Sequence, residues 1–250
     1  MERIILIETS TALCSVALAA DGKIAAYRES SAPKAHASLT AVFIKEVLDE
    51  CEITLDDCDA VCVSMGPGSY TGLRVGVSTA KGICFGSRKP LLAVGTLDTL
   101  VAQAIDMEIA TPRYIIPMID ARRMEVYTAV FEIATPLSEA RNDDENKSSE
   151  AKISMDYKQV TETAPAIIDE NSFADILEQG PCLFIGDGAG KCKDVIRHPN
   201  AHFRQCHPDA ASMLAPALKA YKEKRFEDVA YFEPFYLKEF TATVSKKKLW

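Results

Sequence analysis

Apolar residues along the chain occur in short runs that alternate with helical patterns. The run at residues 4–8 is followed by a polar turn, and two further runs, SVALAA and KIAAYRES, flank the turn at Asp21 and Gly22. These runs predict a meander of three strands at the start of the chain. A helix is predicted at residues 35–51, where the apolar positions form two stripes, and a buried parallel strand at residues 60–64.

The same alternation continues through the rest of the chain. A glycine-rich segment at residues 66–76 leads into a second predicted helix, and KPLLAVGTLD predicts a further strand and helix that reach residue 107. RYIIPMID and EVYTAVFE predict a hairpin that opens a second unit, CLFIGDGAGK predicts a strand followed by a glycine turn, and residues 209–223 have helical spacing. Strands and helices in this order indicate an α/β fold with layers of helices on sheets.

Composition narrows the class of protein. The chain has 250 residues, a formal net charge of -8 and a sequence pI near 5.1, which argues against this chain alone holding a nucleic-acid backbone. The basic run Lys246–Lys248 is expected to be a solvated tail. Without a secretion signal or an apolar stretch long enough to span a bilayer, the protein is expected in the cytoplasm.

The cysteines are expected to be reduced and structural. There are eight of them and no CxxC pair, and Cys14, Cys62 and Cys84 lie in apolar contexts typical of small core residues.

The segment GPGSYTGLRVG, residues 66–76, has two possible interpretations. A glycine turn before a helix can bind phosphate, but neither the P-loop spacing nor the dinucleotide spacing is present. The helix that follows, predicted at residues 71–86, contains only two charged residues, Arg74 and Lys81, so we expect almost no solvent face. Ser69 is the predicted N-cap. Close packing or an interface is favoured over phosphate binding, which stays open.

Five segments together resemble the TsaB family, also called YeaZ. They are IETSTALCSVAL, GPGSYTGLRVGVSTAKGI, IDARRMEVY, LFIGDGA and FYLKEF, in the order and at the distances typical of that family. The resemblance covers most of the chain, and the charged segment at residues 138–152 matches least.

The resemblance implies a fold and a role. The fold would be the two-domain actin, Hsp70 and sugar-kinase fold, with mixed sheets flanked by helices. We expect a first domain at residues 1–107, joined by the returning segment 213–250, and a smaller second domain at residues 108–212, with a mobile charged loop at about 138–152.

The implied role is in making N6-threonylcarbamoyladenosine at position 37 of tRNAs that read ANN codons. TsaB-like proteins are non-catalytic: they pair with TsaD, which performs the transfer, and the ATPase TsaE joins the assembly. The resemblance also implies a homodimer through the same face. ATP and a metal ion would belong to the partner subunits, tRNA would be contacted only through the complex, and no membrane would be involved.

The predicted partner face lies on the two helices at residues 35–51 and 71–86. We expect Gly76→Leu to abolish pairing while the monomer stays folded. The predicted interface residues are His36, Leu39, Phe43, Val47, Gly72, Leu73, Gly76, Val77 and Ala80.

Possible catalytic and metal residues are few. TsaD-type subunits carry an HxxxH metal pair in the first domain, whereas His36 is alone in the first half of this chain, so no catalytic residue and no metal site are predicted. Glu8 stands where the superfamily usually has Asp, which weakens the case for an active kinase. The segment HPNAHFRQCH could bind a metal, but an exposed polar loop is favoured because prolines flank it.

Two polar turns leave alternatives open. Gly186, Asp187 and Gly188 form a possible nucleotide-binding turn or only a tight turn. Asp120 and the two arginines of IDARRMEVY could form an ion-pair cluster or a solvated turn. The rival function is a self-sufficient ATP-dependent phosphotransferase or ATPase of the same fold; a metallopeptidase is ranked below both.

Overall fold

The computed structural model describes residues 2–107, 112–133 and 157–237. The loop predicted at 138–152 and the basic run Lys246–Lys248 lie outside the described residues, as does the end of the predicted returning segment.

The first sheet has five strands in the order β3-β2-β1-β4-β5. The opening meander is antiparallel, and β1, β4 and β5 are parallel neighbours. The predicted meander and the buried strand at residues 60–64 are both confirmed. The strands are β1 (Arg3–Glu8), β2 (Cys14–Ala20), β3 (Lys23–Ser30), β4 (Ala60–Gly66) and β5 (Leu91–Gly95).

The second sheet begins with the predicted hairpin and has five strands along its main path, in the order β10-β7-β6-β11-β12. Two further strands extend it, because β8 pairs with β6 and β9 pairs with β8. The strands are β6 (Tyr114–Asp120), β7 (Glu125–Thr128), β8 (Phe131–Ile133), β9 (Tyr157–Gln159), β10 (Ala164–Ile167), β11 (Cys182–Ile185) and β12 (Ala201–Arg204).

Helices cover both sheets. The two long helices of the first half begin and end within one residue of their predicted bounds, whereas the last helix is shorter than predicted and comes after a 3-10 turn at Ala211–Met213. The helices are α1 (Ala35–Glu50), α2 (Tyr70–Ser87), α3 (Thr96–Asp106), α4 (Ala174–Leu177), α5 (Ala189–Cys192) and α6 (Leu214–Lys222).

Each face of each sheet has its own apolar core. Helices α1 and α2 cover one face of the first sheet and α6 covers the other. Helix α3 packs through Leu100 and Val101 against Ile115 and Leu183 of the second sheet, so it joins the two halves of the molecule. Cys14, Cys62 and Cys84 are buried free thiols, as predicted. The predicted fold class, mixed sheets flanked by helices, is confirmed.

One segment differs from its prediction. HPNAHFRQCH contains a strand, β12, which pairs in parallel with β11 at the edge of the second sheet. Its side chains alternate, with Phe203 half-buried against Phe184 at a centroid distance of 4.9 Å and His202 on the exposed face. The expectation of a polar loop was therefore wrong, because prolines at either end of a short edge strand do not interrupt its pairing.

Candidate functional site

Glycines bring the start of α2 against the turn after β1. A Cβ on Gly72 would lie 2.1 Å from the carbonyl oxygen of Thr9, and a Cβ on Gly68 would lie 2.4 Å from that of Ser10. Ser69 is the N-cap, as predicted, because its Oγ accepts a hydrogen bond from the Gly72 amide at 3.3 Å. Only residues without a side chain permit this approach, so the glycine segment packs two parts of the chain together.

The backbone amides at this junction are used within the chain. The Ser69 amide donates to the carbonyl of Ser10 at 2.6 Å, and the Leu73 amide donates to the carbonyl of Ser69 at 2.9 Å. A phosphate cradle needs several free amides that converge on one point. Of the two interpretations of this segment, the geometry supports close packing.

Most residues predicted for the partner face are buried inside the chain itself. Val47, Leu73 and Ala80 have no exposed surface, and a Cβ on Gly76 would lie 2.2 Å from Thr9 Oγ1. Because these residues pack on the first sheet, they cannot also lie on an exposed surface, and Gly76→Leu would disturb the fold of the monomer. The buried members of the predicted set are Phe43, Val47, Gly72, Leu73, Gly76, Val77 and Ala80.

His36 and Leu39 are the two members of the predicted set that keep partial exposure. Both lie in the first turns of α1, at the end of the helix nearest the start of α2. The two helices therefore stay candidates for the partner surface, but the predicted residues mark the wrong face of them.

Helix α2 has a solvent face that the sequence analysis missed. Thr71, Ser78 and Gly82 are exposed there, and the Phe85 side chain is 82% exposed. The expectation of almost no solvent face was wrong because small uncharged residues, and not only charged ones, can line an exposed face. We call this set of residues the α2 face.

One of the two charges on α2 is turned away from this face. Lys81 Nζ donates to the carbonyl oxygens of Ala230 and Phe232, at 3.1 and 2.9 Å, and so fastens the returning segment to the helix. Arg74 is the charged residue that remains beside the α2 face.

A groove of about 500 Å³ runs between the first turns of α1 and α2. Its aromatic edge was not predicted, although the i, i+4 spacing of Tyr70 and Arg74 was visible in the sequence. The Arg74 guanidinium lies 5.4 Å from the Tyr70 ring centroid, and that ring lies 5.0 Å from the ring of Tyr236. The groove is lined by Ala37, Tyr70, Thr71, Arg74, Val75, Ser78 and Thr79.

Glu8 is fully buried at the end of β1. Its Oε1 accepts hydrogen bonds from the Ser10 amide at 2.6 Å and from Ser64 Oγ at 2.9 Å. Its Oε2 has no hydrogen-bond partner in the part of the chain that the structure describes. Burial raises the pKa of Glu8 to about 7, against the opposing effect of the hydrogen bonds from Ser10 and Ser64. A carboxyl group that is sealed inside the chain is poorly suited to hold a metal ion for catalysis.

The glycine turn after β11 also uses its amides within the chain. The Gly186 amide donates to the Arg204 carbonyl at 3.1 Å, and the Gly188 amide donates to the Met118 carbonyl at 2.9 Å. Asp187 accepts a hydrogen bond from the Asp120 amide at 2.8 Å, and burial raises the pKa of its carboxyl. This turn joins β6, β11 and β12; nucleotide binding by Gly186, Asp187 and Gly188 stays a prediction.

The turn after β6 contains one ion pair. Asp120 pairs with Lys191, whose Nζ also donates to the carbonyl of Glu125 at 2.7 Å. Arg122 and Arg123 are exposed and have positive φ values of 73° and 51°. Asp120 therefore pairs with Lys191 and not with the two arginines, which form the solvated turn of the second alternative.

No group of three or more His, Cys, Asp and Glu residues is placed to hold a metal ion within the described ranges. The absence of a metal from this chain nevertheless stays a prediction. Among the same residues, no helix is both long enough and apolar enough to cross a membrane.

Comparisons with known proteins agree with the resemblance of the motifs. The model of the family described as TsaD, tRNA N6-adenosine threonylcarbamoyltransferase, matches residues 29–246. The tRNA threonylcarbamoyladenosine biosynthesis protein TsaB of Escherichia coli is 30% identical over 254 residues, which cover 99% of this chain and 98% of that protein. A tRNA N6-adenosine threonylcarbamoyltransferase of Clostridium botulinum is 40% identical over 67 residues, or 27% of this chain and 20% of the enzyme.

The solved structure of YeaZ from Pseudomonas aeruginosa has the same fold. It superposes with a TM-score of 0.77 at 23% sequence identity and covers 95% of this chain and 100% of that one.

These matches first define a class: the chain is related, over most of its length, to tRNA N6-adenosine threonylcarbamoyltransferases. Within that class the similarity to the E. coli protein extends over the full length of both chains, whereas the similarity to the C. botulinum enzyme is local. The chain therefore belongs to the TsaB family, as its motifs predicted.

Proposed function

We propose that this chain is the non-catalytic subunit of the assembly that makes N6-threonylcarbamoyladenosine at position 37 of ANN-decoding tRNAs. It pairs with a TsaD-type subunit, which performs the transfer, and it works with a TsaE-type ATPase. Membership of the TsaB family supports the pathway. The α2 face is the observation that supports the role of this chain as a pairing subunit in that pathway.

The α2 face has the properties of a helix-docking surface. Its residues are small or apolar, so a partner helix can approach closely, and the exposed Phe85 ring at its end supplies an anchor. Burial of one Phe side chain contributes about 1.5–3 kcal/mol. Lys81 is turned toward the returning segment, so a partner that docks on this face does not bury it. Arg74 is then the one charged residue of α2 that lies beside the docked partner.

The absence of catalysis by this chain is inferred from the state of Glu8 and its neighbours. Glu8, Thr9 and Ser10 have no exposed surface, and the start of α2 lies across the turn that they form. A substrate or a metal ion cannot reach the carboxylate without displacing α2. ATP and the metal ion of the reaction are accordingly assigned to the partner subunits, and this chain binds no cofactor tightly.

The same face serves a homodimer when the TsaD-type subunit is absent. Because one face cannot hold two partners, the homodimer and the heterodimer exclude each other. Contact with tRNA is made through the complex, in keeping with the net charge of -8 on this chain. We assign the chain to the cytoplasm, where tRNA is modified.

The test is Phe85→Glu, which places a charge at the proposed anchor. We expect the variant to lose co-purification with the TsaD-type subunit of the same organism, and to lose the homodimer on size exclusion with light scattering. Threonylcarbamoylation of tRNA, reconstituted with the TsaD-type and TsaE-type subunits, should fall at least tenfold, in line with the loss of an aromatic interface anchor.

The matched control is Ile167→Glu. Ile167 is 77% exposed on β10 of the second sheet, so the substitution adds the same charge at an exposed apolar position away from the α2 face. Both variants should keep the wild-type Tm, because neither side chain is buried in the monomer. Normal pairing of Phe85→Glu, or equal loss in both variants, would refute the assignment of this face. Activity of the TsaD-type and TsaE-type subunits without this chain would refute the role itself.

A further inference from the structure

A second cavity, separate from the α2 face, lies between the two sheets. It has a volume of about 490 Å³, within the range of roughly 300–1,000 Å³ typical of small-molecule sites. Its walls come from the ends of β4 and β5, the start of α3, strands β8 and β9, helix α6 and the returning segment. None of Glu8, Asp120 or Gly186–Gly188 lines it, so it is distinct from the positions considered above for metal or nucleotide.

The inner wall of this cavity is apolar and aromatic. Phe131 and Tyr157 meet edge to face, with ring centroids 5.8 Å apart, and Phe235 and Leu97 complete the wall. Flat apolar walls of this kind favour a planar ring, which can stack or pack edge to face against them. The cavity therefore has a preference for an aromatic group.

Asp98, the acidic residue that lines the cavity, already accepts a hydrogen bond from within the chain. Asp98 lies in the first turn of α3, and its Oδ1 accepts a hydrogen bond from Tyr157 Oη at 3.4 Å. Its position at the start of a helix adds a favourable interaction with the helix dipole. Asp98 thus orients Tyr157.

Two cations lie at the mouth of the cavity. Lys219 and Arg225 are exposed residues that line it, and both lie near enough to Asp98 to oppose the rise that burial causes in its pKa. Across the described residues, the Lys219 ammonium makes no hydrogen bond or ion pair. Arg225 pairs through Nε with Glu223 at 2.7 Å, which leaves its two terminal nitrogens free of protein partners in the same part of the chain.

We infer that this cavity binds a small organic anion that carries an aromatic ring. The ring lies between Phe131, Tyr157 and Phe235, and the carboxylate or phosphate group is held by Lys219 and Arg225 at the mouth. Guanidinium and ammonium groups both bind these two anions, so the cations do not choose between them. The inference goes beyond the proposed function, because the cavity shares no residue with the α2 face.

The test uses isothermal titration calorimetry on the full chain with two probes, 3-phenylpropionate and phenyl phosphate, which separate a carboxylate from a phosphate ligand. Benzyl alcohol supplies the ring without charge, and inorganic phosphate supplies the charge without a ring. We expect at least one of the two anionic probes to bind at millimolar or lower concentration, and each half-probe to bind at least tenfold more weakly.

Variants then locate the binding. The pair Lys219→Ala with Arg225→Ala should weaken the probe at least tenfold, and Thr163→Trp, which fills the cavity from its partly exposed rim, should abolish binding. Lys222→Ala is the matched control for Lys219→Ala, because it removes the same charge from the same helix at an exposed position outside the cavity. Circular dichroism verifies the fold of each variant.

The inference is overturned if neither anionic probe binds the wild-type chain, or if the double variant and Thr163→Trp bind as the wild type does. Equal weakening by Lys222→Ala would also overturn it, since the effect would then be general electrostatics. Pairing with the TsaD-type subunit is measured separately, and its outcome does not affect this one.

Discussion

Two glycine-rich junctions between a strand and a helix, residues 66–72 and residues 186–190, share one packing device and differ in the length of the helix that each one begins. In each, a missing Cβ lets the chain approach a neighbouring carbonyl: Gly72 would place a Cβ 2.1 Å from the Thr9 oxygen, and Gly186 would place one 2.3 Å from the Met118 oxygen. The first leads into α2, with 18 residues and an exposed face, and the second into α5, with 4. In both junctions the glycines indicate close packing within the chain. The length of the helix that follows determines whether a surface is available for a partner.

The largest effect is expected at the first junction. Gly72→Ala places a methyl group against the backbone of Thr9, which cannot rotate away as a side chain could. We expect a loss of about 3 kcal/mol in the free energy of unfolding, or roughly 6–12 °C in Tm for a chain of this size. Thermal unfolding of the isolated chain measures it.

The control lies on the opposite side of the same helix. A Cβ on Gly82 would meet nothing within 4 Å, so Gly82→Ala should raise the stability by up to about 1 kcal/mol through helix propensity alone. Similar Tm values for the two variants would contradict the division of α2 into a buried glycine face and an open face.

The second prediction concerns Glu8, the buried acid that the first junction covers. Burial raises the pKa of Glu8 to about 7 in the folded chain, from 4.5 as the reference value. Between these pH values the folded state holds a proton that the unfolded state has released, so stability falls as pH rises. The loss is about 3 kcal/mol between pH 4.5 and 7, and little more is lost above pH 7. Glu8→Gln removes this contribution.

Urea unfolding of the wild type and Glu8→Gln at pH 5 and pH 8 separates the contribution of Glu8 from those of other buried acids. The wild type should lose more stability than the variant over this interval. Parallel losses in the two proteins would show that the Glu8 carboxyl is not sealed by α2.

The elements of the fold could be predicted from the sequence because their signals are local. The apolar run of β4, the Ser69 cap and the two long helices were all found in this way. The burial of one face of α2 could not be predicted, since a glycine carries no hydropathy to show which way it points. In α2 the spacing Gly72, Gly76, Ala80 marks the face that packs on the chain itself, whereas Thr71, Ser78 and Gly82 lie on the exposed face.

The site depends on contacts between distant segments, and such contacts leave no local signal in the sequence. Glu8 was noted as a departure from Asp, but its burial depends on segments that are distant in sequence. Helix α2 begins more than 60 residues after it, and Ser64 of β4, which donates a hydrogen bond to it, is 56 residues away. The cavity between the sheets is built from scattered segments, from Met65 to Phe235, that share no motif. Strand β12 was missed because its pairing with β11, and not its own composition, defines it.

The smallest effect is expected within the second junction, where two glycines meet different kinds of neighbour. Gly186 has φ 127° and faces the backbone of Met118, so Gly186→Ala should cost about 2 kcal/mol. A Cβ on Gly190 would meet the end of the Gln205 side chain at 2.5 Å. That side chain can rotate away at the loss of two exposed hydrogen bonds, from the Gly190 amide and to the Asp187 carbonyl, which water can replace. Gly190→Ala should therefore cost less than about 1 kcal/mol. Chemical unfolding of both variants measures the difference. A larger cost at Gly190 than at Gly186 would mean that the turn is held by Gln205 and not by the approach to β6, and the parallel between the two junctions would fail.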